Sequence, residues 1–332
     1  RIGQRASGVN FGGVRQQGRA LAEIPLSMRA RHIWADLKDL IGIDGEFTVT
    51  GHLRLARSES DIALIEKYNQ AAGAMGLSLE MLGRNALAER FPWLGPDVLA
   101  GSFCAADGQA NPRLVGPAFG HAARRAGAEI HEEVEIVGAA RHGQDFLVVA
   151  RDGREFRSTV LVNAAGAWAG VIAGWFGEAV AIRPEVPQVL VTEPAPYRIA
   201  PVLGVIGGDL YLRQIPRGNV IFGGGEGRAN QDWTLSRPLP EVAIKAVHTA
   251  IKIVPHLRDL QIIRMWTGVD GDTADGSPVI GPSGKVSGLF HGFGFCGHGF
   301  QLGVGAGAVL AELVADGRTP TPIDGLGIGR FL

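Results

Sequence analysis

The stretch HGFGFCGHGFQLGVGAGAVLAELVADG, residues 291–317, decides how the fold is predicted. Three of its glycines match the dinucleotide fingerprint G-x-G-x-x-G: Gly292, Gly294 and Gly297. A pyrophosphate loop also needs a second parallel strand, beyond its helix, that ends on a ribose-binding acid. Here the only acid at the right distance, Asp316, lies at the end of the predicted helix 302–315, and only residues 318–332 follow. The match is therefore a coincidence.

Two other glycine-rich stretches also fail as pyrophosphate loops. FGGGEG (222–227) runs into polar residues that predict a hairpin end, and GVGAGA lies inside the predicted helix. The stretch 294–303 still has a physical interpretation. Gly297 and Gly299 allow the backbone to pass against a flat ligand, and the helix start presents free N–H groups to a reduced flavin ring. The residues alone leave this interpretation and simple helix packing equally open.

The composition is that of a globular protein, with 46% hydrophobic and 20% charged residues and a net charge of −1. This balance gives no electrostatic case for binding nucleic acid or an anionic membrane. The two cysteines, Cys104 and Cys296, supply no disulfide framework or metal set, so we expect a cytoplasmic protein. The apolar stretch 160–182 contains Asn163, Glu178 and glycines, which predict a strand, a turn and a short helix rather than a transmembrane segment.

Helix and strand signals alternate along the chain. Helices are predicted at 58–75 (capped by Ser58), 111–127 (Asn111, then Pro112) and 239–253. Residues 129–166 predict a strand, a three-stranded meander and a buried strand. Four further segments predict an antiparallel sheet: PQVLVTE, DLYLRQIP, NVIFGGG and LQIIRMWTGV. The predicted class is α/β (α+β), a nucleotide-type domain interrupted by a mainly antiparallel one.

Four motifs carry a family resemblance: ASGVNFGGVR (6–15), VNAAGAWA (162–169), WTGVDGDTADGSPVIG (266–281) and GFCGHGFQLG (294–303). In this order they resemble the D-amino-acid-oxidase-like flavoproteins, which include glycine, sarcosine and opine oxidases. The resemblance implies an FAD-binding Rossmann-like domain whose first β-α-β unit is expected upstream of Arg1. It also implies that this incomplete domain spans 1–45, 105–182 and 266–332, and the substrate domain 46–104 and 183–265.

The resemblance also assigns residues to the cofactor. The first motif implies polar contacts from Ser7 and Asn10 and close approach at Gly12 and Gly13. The other implied FAD-binding residues are Val134 at the adenine, Ala164, Ala165 and Gly166 beneath the cofactor, and Gly297, His298, Gly299, Phe300 and Gln301 around the ring. Trp168 is also assigned to the cofactor, although a simple core position fits it equally well. For His298 we expect a structural role rather than that of a catalytic base, since hydride transfer to flavin needs no protein base in this family.

The expected substrate residues are Arg15, Tyr211 and Arg213. The resemblance points Tyr211 at the substrate, although an amphipathic strand that buries Tyr211 fits equally well. Asp270 stands where glycine oxidases carry a carboxylate-binding arginine, so another cation is needed. Arg15, Arg19 and Arg213 are candidates by position, with Arg15 preferred.

The implied function is FAD-dependent oxidation of the C–N bond of an amino acid or N-substituted amino acid, giving an imine that hydrolyses. The alternative is a non-catalytic or assembly subunit of a flavoprotein complex. We expect non-covalent FAD, because residues 264–282 contain no cysteine and Asn10 stands where some relatives have histidine. FAD binding by these 332 residues alone is expected to be weak. Phe222 occupies the position of an oxygen-activating lysine, which favours a dehydrogenase with a partner subunit, quinone or dye as acceptor.

Overall fold

The computed structural model describes residues 1–332 as nine α-helices and twenty strands joined by short turns. The helices are α1 Ala6–Val9, α2 Ile24–Ala35, α3 Leu37–Ile41, α4 Glu59–Ala74, α5 Arg84–Arg90, α6 Pro112–Arg125, α7 Ala169–Trp175, α8 Pro240–Ile253 and α9 Gly299–Asp316. The first ten strands are β1 Gly13–Val14, β2 His52–Ala56, β3 Glu80–Gly83, β4 Ala100–Cys104, β5 Gly108–Gln109, β6 Ile136–His142, β7 Asp145–Ala150, β8 Glu155–Ser158, β9 Leu161–Asn163 and β10 Arg183–Glu185. The others are β11 Pro187–Pro194, β12 Val202–Val205, β13 Tyr211–Gln214, β14 Asn219–Glu226, β15 Arg228–Ala229, β16 Ser236–Arg237, β17 Ile262–Thr267, β18 Asp270–Asp272, β19 Val279–Pro282 and β20 Leu289–Phe293.

An eight-stranded sheet forms the larger half, in the order β17-β11-β14-β13-β12-β2-β4-β3. Side chains alternate between its two faces. One face carries Leu53, Leu212 and Phe222 into the largest apolar core, where α8 covers them. The opposite face carries His52, Arg54, Tyr211 and Arg213. Because the core closes one face, the polar side chains collect on the other, and the candidate site lies there.

The four strands predicted as an antiparallel sheet are confirmed as β11, β13, β14 and β17. The position proposed for an oxygen-activating lysine was wrong, because Phe222 pairs with Leu212 and lies in the core behind the sheet. Its neighbours Ile221 and Gly223 pair with Arg213 and Tyr211 and share their face. These two residues are also uncharged.

A smaller three-stranded sheet, in the order β19-β20-β9, packs against α9. β9 runs parallel to β20, and behind it the buried His291 and Glu178 side chains pair at 3.0 Å. The α2 and α9 helices pack closely, and Gly305 makes this possible because a Cβ there would lie 3.1 Å from the Leu26 carbonyl oxygen. The smaller sheet and the helix pair hold the start of α9 next to the first motif.

The predicted helices are confirmed with their caps. Ser58 accepts a hydrogen bond from the Asp61 N–H group, and Asn111 accepts one from Arg113. The meander is confirmed as β6-β7-β8, but the strand predicted just before it does not form, because residues 129–133 pair with no neighbouring strand. The predicted domain boundaries stay a prediction.

The apolar stretch 160–182 forms β9, a turn and α7, as predicted. By length and composition α9 is the one helix that matches a membrane span. Core helices of soluble proteins share this composition, and α9 buries Leu302, Ala306 and Val309 in a core cluster with Leu26 of α2.

Candidate active site

The first motif forms a short helix and a glycine turn that its own asparagine shapes. Asn10 follows α1, and its side-chain amide donates to the Ser7 carbonyl oxygen at 2.8 Å. The Asn10 carbonyl oxygen accepts from the Gly12 N–H group at 2.8 Å. Gly12 has a φ of 90°, and a Cβ there would lie 2.5 Å from the Arg213 guanidinium. The polar atoms of Asn10 are thus used within the motif, while the side chain of Ser7 is exposed.

Tyr211 and Arg213 meet this motif from the sheet. The Phe11 ring packs edge-on against Tyr211, with centroids 4.8 Å apart, and lies 5.5 Å from the Arg213 guanidinium. The Tyr211 hydroxyl donates to the Gln188 carbonyl oxygen at 3.1 Å, and Arg213 donates to the Gln109 side-chain oxygen at 3.0 Å. Burial lowers the pKa of Arg213 to about 10, so the group stays charged at neutral pH, yet it forms no ion pair.

The next segment, residues 15–19, is fixed by two distant side chains. The buried Asp107 carboxylate accepts from the backbone N–H groups of Gln16 and Gln17, at 2.7 and 3.3 Å. The Tyr68 hydroxyl accepts from those of Gly18 and Arg19, at 2.9 and 3.2 Å. Four consecutive N–H groups are therefore satisfied, and the loop is rigid. The residue types and their spacing in sequence carry no signal for these partners, because the contacts form only in the folded chain.

This loop places two guanidinium groups beside a third. Arg15 is half-buried and donates to the Gln17 carbonyl oxygen at 2.8 Å, while Arg19 is only 3% exposed. Arg54 from β2 lies over the Tyr68 ring, 5.3 Å from its centroid. Burial lowers the pKa of each of the three arginines. None of them forms an ion pair.

His298 lies at the start of α9, close enough to Arg19 and Arg15 for their charges to act on it. Its Nδ1 lies 3.0 Å from Oε2 of Glu23, a carboxyl group that is fully buried. Burial, and then Arg19 and Arg15, lower the pKa of His298 well below its usual range. Burial raises the pKa of Glu23 to about 7, against the opposing effect of Arg19. This contact supports the structural role expected for His298.

Asp270 holds the loop of residues 294–298, which precedes α9 and is expected to flank the flavin ring. Its carboxylate accepts from the Gly297 N–H group at 2.9 Å, so Asp270 orders the loop in place of binding a carboxylate. His298 gives α9 no side-chain cap, which leaves the N–H groups of Gly299 and its neighbours available. Phe300 packs on Trp34, and the Gln301 side chain donates to the Ser27 carbonyl oxygen inside the α2–α9 contact. The Gln301 side chain therefore points into the α2–α9 contact, and the assignment of Gln301 to the flavin ring stays a prediction that only its backbone could fulfil.

The third group of expected cofactor residues follows β9. Ala164 and Gly166 are exposed and Ala165 is half-buried. Trp168 donates from its ring nitrogen to the Asp232 carbonyl oxygen at 3.1 Å, which ties it to the β15–β16 hairpin. Val134 is half-buried just before β6. The structure thus brings the first and last motifs together around the sheet face, and it places the second motif at the edge of the smaller sheet.

Comparison with known proteins decides the family. A model of the family described as FAD dependent oxidoreductase (DAO) matches residues 1–313.

The chain belongs to this family. It is 27% identical to a subunit of the opine oxidase of Rhizobium meliloti, over 98% of the chain and 88% of that protein. It is 25% identical to the β subunit of the sarcosine oxidase of Rhodobacter capsulatus, over 91% of the chain and 73% of that protein. L-proline dehydrogenase from P. horikoshii has a similar structure, with a TM-score of 0.89, 26% identity, and coverage of 98% of the chain and 87% of that protein.

The cofactor of this DAO-family chain is FAD, and the residues present fit a flavin. A Cβ added at Gly297 or Gly166 would meet no atom within 4 Å, so both glycines border open space. Both have positive φ angles, 74° and 57°. The uncapped start of α9 adds free N–H groups and the positive end of a helix dipole, which suit the negative charge of a reduced ring.

The Glu23 carboxyl group predicts a pH dependence of stability. Its pKa is about 7 in the folded chain against 4.5 without the fold, so the folded form binds more protons between these values. The contribution of Glu23 to the free energy of unfolding is therefore complete below pH 4.5. It is lost as the pH rises through about 7, which lowers the free energy of unfolding by at most about 3 kcal/mol. Urea unfolding across this range should show that Glu23→Gln removes the loss. The control is Glu66→Gln on the exposed side of α4, and parallel curves for Glu23→Gln and the unchanged protein would refute the assignment.

Proposed function

We propose that the chain oxidises the C–N bond of an amino acid or N-substituted amino acid with FAD. The observation that carries this proposal is the set of guanidinium groups, Arg15 and Arg213 among them, that lie without ion pairs beside the motif that the resemblance assigns to the flavin. A carboxylate is the ligand such groups bind best. Anaerobic bleaching of the flavin by an amino acid tests the proposal, and a flavin that no amine reduces would refute it.

The protein's part in the reaction is to bind, orient and exclude water. When bound, FAD supplies the chemistry by accepting a hydride from the carbon next to nitrogen. Arg15 would hold the substrate carboxylate in a fork of two hydrogen bonds. The side chains of Tyr211 and Phe11 would form one wall of the site. Water then attacks the carbon of the imine product, and hydrolysis releases the amine and an oxo acid. His298 takes no proton here, because burial and the nearby arginines keep it neutral.

The proposed setting is cytoplasmic, and the proposed partner is another subunit. The free Cys104 and Cys296 support a reducing compartment. Two of the similar proteins are themselves named as subunits, one of an opine oxidase and one of a sarcosine oxidase. These names support assembly with a partner that accepts the electrons.

Arg15→Ala should raise the Michaelis constant KM by tens to hundreds of fold. The change removes a charge-assisted contact worth about 1.5–3 kcal/mol. Steady-state kinetics of the FAD-loaded variant measure this effect. Arg15→Lys is the matched variant, since it keeps the charge without the fork and should recover part of the loss. Unchanged kinetics with properly bound flavin would move the role to another residue.

FAD should be bound without a covalent link. The structure brings the Cys296 sulfur within 3.4 Å of the Thr273 hydroxyl, so Cys296 is the thiol to test. Burial raises the pKa of this thiol to about 11, which keeps it protonated and a poor nucleophile. Acid precipitation should therefore leave the protein colourless. Yellow protein whose colour Cys296→Ser abolishes would contradict the prediction.

The reduced enzyme should react slowly with oxygen and rapidly with a dye. Strand β14 presents only the uncharged Ile221 and Gly223 on the Tyr211 face, so it offers no positive charge to promote the reaction of reduced flavin with oxygen. Stopped-flow reoxidation of the substrate-reduced holoenzyme in air-saturated buffer measures this rate. Reoxidation as fast as dye-supported turnover, with stoichiometric hydrogen peroxide, would overturn the prediction and point to Arg15 and Arg19 as the charges responsible.

A further inference from the structure

Glu23 and His298 form a buried carboxyl–imidazole pair at the end of the loop of residues 294–298. The Nδ1 atom of His298 lies 3.0 Å from Oε2 of Glu23, whose side chain is fully buried. The His298 side chain itself keeps 17% of its surface exposed. Because Nδ1 faces a buried group, the exposed part of the ring is its far side, which contains Nε2. His298 follows Gly297, which borders open space, so this side of the ring is available to a bound flavin.

The proton between these two side chains has two arrangements. An ionised Glu23 only accepts hydrogen bonds, so Nδ1 of His298 must carry the ring proton and Nε2 is left as an acceptor. A protonated Glu23 donates its O–H group to Nδ1, so the ring proton is on Nε2, which becomes a donor. His298 is neutral in both arrangements, since burial, and then Arg19 and Arg15, lower its pKa well below its usual range. The protonation of Glu23 therefore decides which hydrogen bond Nε2 offers.

The other oxygen of Glu23 disfavours a protonated form that leaves the histidine unchanged. Oε1 is buried and has no hydrogen-bond partner. An O–H group on Oε1 would therefore be a buried donor without an acceptor, which is costly inside a protein. On Oε2 the same proton is shared with Nδ1 of His298, 3.0 Å away. The proton therefore belongs on Oε2, and its arrival moves the ring proton of His298 from Nδ1 to Nε2.

The charged groups around the pair allow this proton to be gained and lost near neutral pH. Burial raises the pKa of Glu23 to about 7, and the cations Arg19 and Arg15 oppose this effect. Asp275 and Arg330 also act on Glu23, but in opposite directions, and they pair with each other at 2.7 Å. Glu23 is therefore mostly protonated below about pH 7 and mostly ionised above it.

We propose that Glu23 is a positioning residue that sets the ring proton of His298 and thereby the hydrogen bond that His298 offers to the flavin. This inference rests on the proposed FAD-dependent function. The donor form of Nε2 suits the negative charge of a reduced ring, so reduction in turn favours that form. A proton from solvent then binds Nε2 while the Nδ1 proton passes to Oε2 of Glu23. His298 stays neutral throughout and takes no proton from the substrate.

The first test observes the ring proton directly, by nitrogen NMR of the holoenzyme with isotope-labelled histidine. The His298 signals are identified by their loss in His298→Asn. Nδ1 and Nε2 should exchange their protonated and unprotonated chemical shifts as the pH rises through about 7. Glu23→Gln should keep the same tautomer at every pH, because an amide does not titrate. Glu312→Gln is the matched control, since it removes a paired carboxyl group from α9 and should leave the exchange in place. A fixed tautomer in the unchanged protein, or an exchange that persists in Glu23→Gln, would overturn the proposal.

The second test measures the consequence for the flavin, without turnover. Titrations give the Kd of oxidised FAD and of dithionite-reduced FAD at about pH 8 and about pH 6. The ratio of the two constants, oxidised over reduced, should rise on acidification about tenfold more in the unchanged protein than in Glu23→Gln, because only the unchanged protein gains a hydrogen bond to the charged ring. An equal rise in both proteins would overturn the proposal. Equal weakening of both flavin forms in Glu23→Gln, together with a lower Tm, would show a purely structural carboxyl group and would overturn it as well.

These tests separate the two levels of inference. If no amine reduces the flavin but the tautomer of His298 and the Kd ratio both follow Glu23, the proposed function fails and the role of Glu23 stands. If an amino acid reduces the flavin while the tautomer of His298 is the same at every pH, the proposed function stands and the role of Glu23 fails.

Discussion

The carboxylate of Asp107 organises the candidate site. It is fully buried and accepts hydrogen bonds from Gln16 and Gln17, which lie about ninety positions earlier in the chain. Burial would otherwise push this group toward its neutral form, and it raises the pKa of Asp107 in spite of these bonds. The interaction ties the loop after the first motif to the end of β4. Without it the arginines of that loop would be free to turn to solvent, as long charged side chains do.

The same loop explains why positive charge gathers inside the protein. Its backbone donors occupy both oxygens of Asp107 and the Tyr68 hydroxyl, so neither group forms a direct ion pair or hydrogen bond with Arg15 or Arg19. Glu23 is close enough to influence Arg19, but it contacts His298, and burial raises its pKa to about 7, so the carboxyl group is only partly ionised near neutral pH. The cluster is therefore cationic. The Arg29–Glu312 pair on the nearby α2 and α9 helices shows the contrast, since there each charge faces its partner at 2.5 Å.

Local signals in the sequence predicted the elements well, whereas the site depended on register and on distant contacts. Ser58 and Asn111 were found because a cap acts on N–H groups two or three residues away. Phe222 was placed on the wrong face because a shift of one residue in the β13–β14 pairing moves every side chain of a strand to the other side of the sheet. The resemblance assigned Gln301 to the ring, but sequence could not show that its side chain turns toward Ser27 on α9. Asp107 and Tyr68 gave no signal at all.

Acidic groups also border the candidate site. Strands β10 and β18 pair Glu185 with Asp270, and Asp270 holds the Gly297 loop. Burial, and then Asp272, Glu226 and Asp270, raise the pKa of Glu185 to about 7, and Glu185 also acts on the Tyr211 hydroxyl. In a poorly solvated site such fields are weakly screened. For the proposed amino-acid substrate, the favoured orientation would therefore place its carboxylate toward the arginines and its amine toward Glu185.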